Sequence, residues 1–427
     1  MGMAVQIART QHHVKSTSIN LMRGNRIIIL LCALIVSLHI GAQQRFLPPV
    51  ESTDSTAVAS LLTCAPGADV YTLEGHTALR LRYGSIDAVA NWGIFDFNSP
   101  NFIYRFVKGE TDYSIGLSPT HYFLMAYERE NRRITEQTLN LTHQQFTALV
   151  EAVNENCQPQ NRVYRYNYAR DNCATRPLHL IEQVIGGQVL LPSAPTDVQQ
   201  MNTLRREMSH FHSNYPWYQF GIDMCLGSGV DSNITPREMM FAPVVLEELA
   251  ATAIINAGPL KGQPLITQTS TLVNGPKNGS ILGPTPWYLT PLTAMMALLA
   301  ITILLTFYDR KHRKISRWFD VILFTGFGIE GCIVTFLVFV SVHEATSPNW
   351  LLLWLNPLCF IVPIANIIRR THRIANWYHI YNIVAIALLL VIAAIGIQSV
   401  NPALIVLATC GLIRSLNATL NVSSKNK

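Results

Sequence analysis

The sequence predicts an α+β domain followed by an all-α membrane bundle, and three observations lead there. Apolar residues concentrate in a short block near the N-terminus and a long block from about Trp287 to the end, with ordinary soluble composition between them. The charged fraction is only 14%, with positive mean hydropathy, so part of the chain is suited to lipid. Lys and Arg sit beside the apolar segments and form no stripe with interleaved aromatics. That placement points to membrane topology and away from nucleic-acid binding.

Near the start, Arg23 and Arg26 precede an apolar run from Ile27 to Ile40, followed by small Gly41 and Ala42 and polar Gln43 and Gln44. This is the three-part pattern of a secretory signal peptide, shorter than an ideal span. Residues 1–42 therefore read as extension plus signal peptide, with Met22 a candidate start and an uncleaved signal anchor the alternative. Cys32 lacks small residues before it, which argues against a lipoprotein anchor.

In the membrane half, 287–420, apolar segments run at about Tyr288 to Phe307, Val321 to Val342, Trp350 to Ile368, Ile380 to Ile397 and Pro402 to Leu420. Each has about the length that one helical crossing needs. The first loop between them holds Arg310, Lys311, Arg313, Lys314 and Arg317, and the third holds Arg369, Arg370 and Arg373, whereas the second and fourth hold no Lys or Arg. The positive-inside rule makes the basic loops and the 421–427 tail cytoplasmic, and the soluble domain lies outside. A signal peptide demands the same orientation. Arg414 is expected to snorkel from the fifth span to the interface, and Trp287, Trp318, Trp350, Trp354 and Trp377 to form an aromatic belt. Glu330, the one carboxylate well inside a span, is a functional candidate. Its neighbours Gly326, Gly328 and Gly331 suggest instead a tight helix contact around a protonated acid.

The soluble half, 43–258, mixes strands and helices. Ala68 to Tyr83 and Val89 to Phe97 flank Tyr83-Gly84-Ser85-Ile86-Asp87 and read as a hairpin. Thr142 to Asn154 carries Phe146, Leu149, Val150 and Val153 on one helical face. A second helix starts at Asp171-Asn172-Cys173, tolerates Pro177 in its first turn and stops at Gly186-Gly187. A third runs from Pro243 past Glu247-Glu248, and the Gly/Pro/Asn/Ser-rich stretch 259–286 reads as a linker. Cys64, Cys157, Cys173 and Cys225 have no zinc-site spacing, and an exported domain permits a disulfide of unspecified connectivity.

Two local motifs carry chemistry-bearing residues. In Glu74-Gly75-His76-Thr77 a histidine sits on a strand, and in Asp171-Asn172-Cys173-Ala174 a cysteine opens a helix. The positive end of the helix dipole lowers a thiol pKa, and a neighbouring imidazole completes an activated nucleophile. The bland alternative is a pair of structural residues, since Cys is often just a small buried apolar group.

Thr63-Cys64-Ala65-Pro66-Gly67, Gly75-His76-Thr77-Ala78, Asn91-Trp92-Gly93-Ile94-Phe95-Asp96-Phe97, Phe106-Val107-Lys108-Gly109 and Asp171-Asn172-Cys173-Ala174-Thr175-Arg176-Pro177 together resemble the Lnb N-terminal periplasmic domain family, a domain of unknown function. The segment His343-Glu344-Ala345-Thr346 and the run Asn349 to Pro357 resemble versions from Bacteroidota-type bacteria. The order of strand His and then helix-start Cys is more distantly similar to circularly permuted papain-like enzymes, the NlpC-type peptidases and lecithin retinol acyltransferase relatives. That resemblance implies a permuted papain-like fold, with a polar residue on the next strand orienting the imidazole. A hairpin centred near Ser85-Ile86 puts Asp96 opposite His76 and Asn91 nearer Arg80, so Asp96 is the first choice of orienter and Asn91 the second.

Two functions follow. One is a membrane-anchored periplasmic thiol hydrolase or acyltransferase, with Cys173 as nucleophile and His76 as base, acting without a cofactor on an envelope amide or ester from a lipid or cell-wall peptide. The other is a non-catalytic tethered accessory or assembly factor for an exported protein. The partners expected are membrane lipids and an envelope substrate or exported protein, in the inner membrane of a bacterium. Selective labelling of Cys173 by a thiol reagent at mildly acidic pH separates the two readings.

Overall fold

The computed structural model describes residues 45–191, 203–277, 279, 281–368 and 372–425. The signal peptide, Cys32, Arg369 and Arg370 lie outside these residues.

The N-terminal domain is built on a seven-stranded antiparallel sheet: β1 (Val58–Cys64), β2 (His76–Tyr83), β3 (Ile86–Ile94), β4 (Asp112–Pro119), β5 (Ile134–Leu139), β6 (Val163–Arg165) and β7 (Ile266–Val273). The strand order is β6-β4-β3-β2-β1-β5-β7. β7 falls in the stretch read as a linker. Its alternating Thr and Ser residues hide a strand that hydrogen-bonds only at the sheet edge, against β5. Helix α1 (Phe102–Lys108) connects β3 to β4, and α2 (Thr120–Arg129) and α3 (His143–Cys157) flank β5. The Thr142 side chain and Gln145 close a capping box that starts α3. Helix α4 (Thr175–Ile185) ends at Gly186 in the left-handed conformation, as read from the sequence. The chain then adds α5 (Leu204–Phe211), α6 (Pro216–Cys225), the single turn α7 (Pro236–Met239) and α8 (Pro243–Thr252).

Strand alternation sends Leu61, Leu79, Leu81, Ala90 and Trp92 to one face, where they pack under α3, α4 and α8. Leu62, Ala78 and Val89 point the other way, into a smaller core capped by Phe123 of α2. The sheet is therefore covered on both sides. His76 and Asn91, by the same parity, lie on the α2 side.

Among the described residues, five helical segments are long and apolar enough to cross a membrane. These are α9 (Pro291–His312), α10 (Arg317–Phe339), a third span ending in α11 (Ile361–Ile367), α12 (His372–Ala394) and α13 (Pro402–Lys425). The third span is broken: two single 3-10 turns, Trp350–Leu353 and Pro357–Phe360, precede α11. Pro357 cannot donate an amide hydrogen bond. Asn356 repairs the break, donating from Nδ2 to the Leu352 and Leu353 carbonyls and accepting the Leu358 amide.

Two expectations for the bundle change. Arg414 does not snorkel. It is buried between Asp309 and Asp320, at 2.9 and 2.5 Å, with Thr306 at 3.1 Å. The two carboxylates supply the partners that an intramembrane arginine requires. Trp287, Trp318 and Trp377 are exposed as a belt requires, but Trp354 is interior and packs edge-on against Phe327. Around Glu330, Gly328 and Gly331 do face the third span closely, while Gly326 meets nothing.

The domain rests on the bundle through α6. Phe220 joins the bundle core, Asn401 donates to Asp223 at 2.9 Å, and Asn349 donates to the Met224 carbonyl at 3.0 Å.

Candidate active site

The β2–β3 turn is Gly84-Ser85, with Tyr83 paired to Ile86 and Leu79 to Ala90. Gly84 takes a positive φ there, and its amide donates to Asp54. The register is thus shorter than a hairpin centred at Ser85-Ile86 would give. Continued along the strands, it sets Gly93 opposite His76 and brings Asn91 onto the same-face diagonal. His76 Nε2 lies 2.6 Å from Asn91 Oδ1.

Asp96, the first choice of orienter, is not behind the ring. It is exposed past the end of β3, where its carboxylate accepts the Asn98 amide in a turn. The slip in register is the reason, because it moves the partner of His76 back along β3.

Cys173 reaches the same place from the other direction. A Cβ built on Gly93 would stand 3.5 Å from Cys173 Cβ, an ordinary packing contact, so the cysteine packs on Gly93 beside the strand end and it is the φ of +89° that favours glycine there. Asn172 holds the turn that presents it. Its Oδ1 accepts from the Ala174 and Thr175 amides, and its Nδ2 donates to the Tyr168 and Phe241 carbonyls. Buried and with its hydrogen-bonding capacity filled, Asn172 fixes the backbone on both sides of the thiol. The sequence motif contained it, but spacing alone gave it no role.

The electrostatics correct one expectation. Burial pushes the Cys173 thiol up to about 11; the Thr77, Cys173 and Ala174 amides pull the other way, and Glu74 adds to the rise. Desolvation thus outweighs the helix dipole, which Asn172 already satisfies at the first amides. Burial also lowers His76 to about 4, against the Asn91 hydrogen bond, with Arg132 adding to the fall. The resting groups are a neutral thiol and a neutral imidazole. Because Asn91 Oδ1 only accepts, Nε2 carries the ring proton and Nδ1 keeps its lone pair.

Several neighbours were not legible in the sequence. Tyr127 of α2 lies parallel to the His76 ring, with Arg132 4.7 Å above the tyrosine centroid. Behind the thiol, Glu74 accepts from Tyr168 at 2.6 Å and lies 3.2 Å from His212 Nε2. His212 comes from α5's C-cap, far along the chain, and no local pattern announces the contact. Cys64, Cys157, Cys173 and Cys225 are all unpaired thiols, so none of the permitted disulfides forms.

A sheet-and-helix domain seated on five apolar spans defines a membrane-anchored protein with one folded domain beside the bilayer. The model of the Lnb N-terminal periplasmic domain matches residues 48–204, and that of the Lnb transmembrane domain matches residues 284–426. The chain belongs to the Lnb family, and its sheet domain is the periplasmic one. No curated protein and no solved structure matches it.

Proposed function

We propose that the periplasmic domain is a thiol hydrolase or acyltransferase acting on an envelope ester or amide, with Cys173 as nucleophile, His76 as base and Asn91 as the residue positioning the ring. The observation that carries this reading is the His76–Asn91 hydrogen bond at the strand end where Cys173 packs on Gly93. It leaves Nδ1 as the acceptor for the thiol proton. As sulfur attacks the carbonyl carbon, the proton moves from Sγ to Nδ1; His76 then returns it to the departing alcohol or amine, leaving a thioester on Cys173. Water or a second nucleophile takes the acyl group and restores the thiol. The amides of Thr77 and Cys173 that face the sulfur are the donors for the oxyanion. The order of strand His and helix-start Cys, similar to permuted papain-like enzymes, supports the same roles. Contact with the bundle favours membrane lipid as acyl source over cell-wall peptide. The basic loop from Arg310 to Arg317 supports a C-terminus on the cytoplasmic side of a bacterial inner membrane.

The test uses the full chain reconstituted with phospholipid carrying an alkyne-tagged acyl chain. Mass spectrometry should find a hydroxylamine-sensitive adduct on Cys173, absent from Cys173→Ser and His76→Ala proteins that melt like the parent. No adduct with either tagged lipid or a tagged cell-wall peptide removes the enzyme reading. The second reading, a non-catalytic accessory factor for an exported protein, is favoured by the raised thiol pKa, which suits an inert structural cysteine.

A further inference from the structure

The periplasmic domain carries a ridge of aromatic rings that is more exposed than a water-facing surface requires. Tyr71, Phe97, Ile103, Tyr104 and Phe106 are all exposed, Ile103 by 78%. The ridge is continuous. Phe97 meets Phe95 and Phe102 at centroid distances of 4.6 and 5.2 Å, and Phe102 stacks on Phe106 at 6.0 Å. At its upper end Phe95 contacts Tyr113 at 5.0 Å, and Tyr113 stacks on Tyr166 at 4.2 Å. Tyr166 lies beside Gly93, the residue on which Cys173 packs.

The lower end runs into the membrane half. Tyr104 of α1 contacts Phe336 inside the second span at 6.1 Å, the Lys108 carbonyl accepts the Val342 amide at 2.8 Å, and His343 Nε2 bonds the Phe106 carbonyl at 2.8 Å. Phe336 precedes the end of α10, so α1 sits level with the last turn of that span. Phe339, Val340 and Val342 next to it are also exposed, Phe339 by 71%. An apolar surface that continues without interruption from a lipid-facing helix end has the lipid as its natural cover.

We propose that α1 and the aromatic ridge are a bilayer-docking surface: Ile103, Tyr104 and Phe106 lie in the interfacial layer of the periplasmic leaflet, and the Cys173 site opens at the membrane surface. The attachment is hydrophobic and aromatic. Both cations of α1 are already paired, Arg105 with Asp112 at 2.6 Å and Lys108 with Glu110 at 2.7 Å, so little charge is left for anionic headgroups. The proposal concerns where the domain sits and holds whether or not Cys173 is catalytic.

The experiment places an environment-sensitive fluorophore on Ile103→Cys in the full chain, with the identically treated parent as background. A second sample labels Phe339→Cys as the lipid-facing reference. Both are reconstituted in phosphatidylethanolamine–phosphatidylglycerol vesicles with and without nitroxide-bearing lipids. The expected result is quenching of the Ile103 label by a shallow acyl nitroxide to the same degree as the Phe339 label, shielding from aqueous iodide, and no change on raising salt. A label that iodide quenches and lipid nitroxides do not would overturn the proposal and leave the ridge as a surface for a protein partner. Loss of lipid quenching in high salt would overturn its hydrophobic character. Ile103 is mostly exposed, so its replacement does not disturb the core.

Discussion

Asn91 Oδ1 stands 2.6 Å from His76 Nε2, a diagonal pair that the two-residue Gly84-Ser85 turn brings into register. This hydrogen bond fixes the tautomer on which the proposed chemistry depends. Asn91→Ala should slow acylation of Cys173 on the order of 10²-fold while costing about 1 kcal/mol of stability, the worth of one hydrogen bond. Asp96→Ala should acylate at the parental rate, because Asp96 serves only its own turn. Equal losses in the two variants would remove the positioning role of Asn91.

Arg414 tests the bundle. Its guanidinium is enclosed with Asp309 and Asp320, so Arg414→Ala leaves two buried carboxylates facing each other without a cation. The expected cost is about 3–5 kcal/mol, read as a lower melting temperature in detergent. A variant joining Arg414→Met to Asp309→Asn and Asp320→Asn should recover much of that loss, since the uncompensated charge is gone. A triple variant no more stable than Arg414→Ala would show that the guanidinium's packing, and not charge balance, holds these helices.

Gly331 and Glu330 are neighbours with opposite expected sensitivities. A Cβ on Gly331 would stand 2.5 Å from backbone of Asn356, so Gly331→Ala should cost about 1–3 kcal/mol by overpacking. Glu330 Oε2 has no hydrogen-bond partner among the described residues, and Glu330→Gln keeps the shape. It should therefore melt and function like the parent. Loss of function in Glu330→Gln at normal protein levels would assign the carboxyl a role in ion or proton movement.

How much of this was legible follows from the range of each interaction. The spans, the α3 cap at Thr142 and the stop at Gly186 are local patterns of one segment, and they are visible in the sequence. The choice between Asp96 and Asn91 depended on where the turn closes, because a shift of a residue or two along a strand exchanges partners and faces. β7 was hidden because an edge strand rich in Thr and Ser has the composition of a linker. The burial of Arg414 required knowing that Asp309 and Asp320, in different helices, converge on it. The Glu74–His212 contact spans even more of the chain. The reading of Cys173 as a helix opener ran about two residues early, since α4 begins at Thr175 with Ala174 as its N-cap, and it could not include the burial that raises the thiol pKa, because burial is a tertiary quantity.

Charge state yields the last prediction. With the thiol near 11 and the imidazole near 4, iodoacetamide labelling of Cys173 should rise about tenfold per pH unit from neutral to mildly alkaline pH, without a plateau, because only thiolate reacts. A plateau of reactivity at pH 5–7 would instead reveal a preformed thiolate–imidazolium pair and reverse the order of proton transfer. His76 adds a stability signature. Its folded pKa of about 4 lies below the ordinary imidazole value of 6.5, so the unfolded chain binds more protons between those values. Stability is therefore flat above pH 6.5 and falls as pH drops toward 4, by at most about 3 kcal/mol for this one group. His76→Gln should flatten that acid limb of the melting curve relative to the parent. An unchanged limb would mean that His76 is protonated without penalty and that its ring is better solvated than its place between Asn91 and Tyr127 implies.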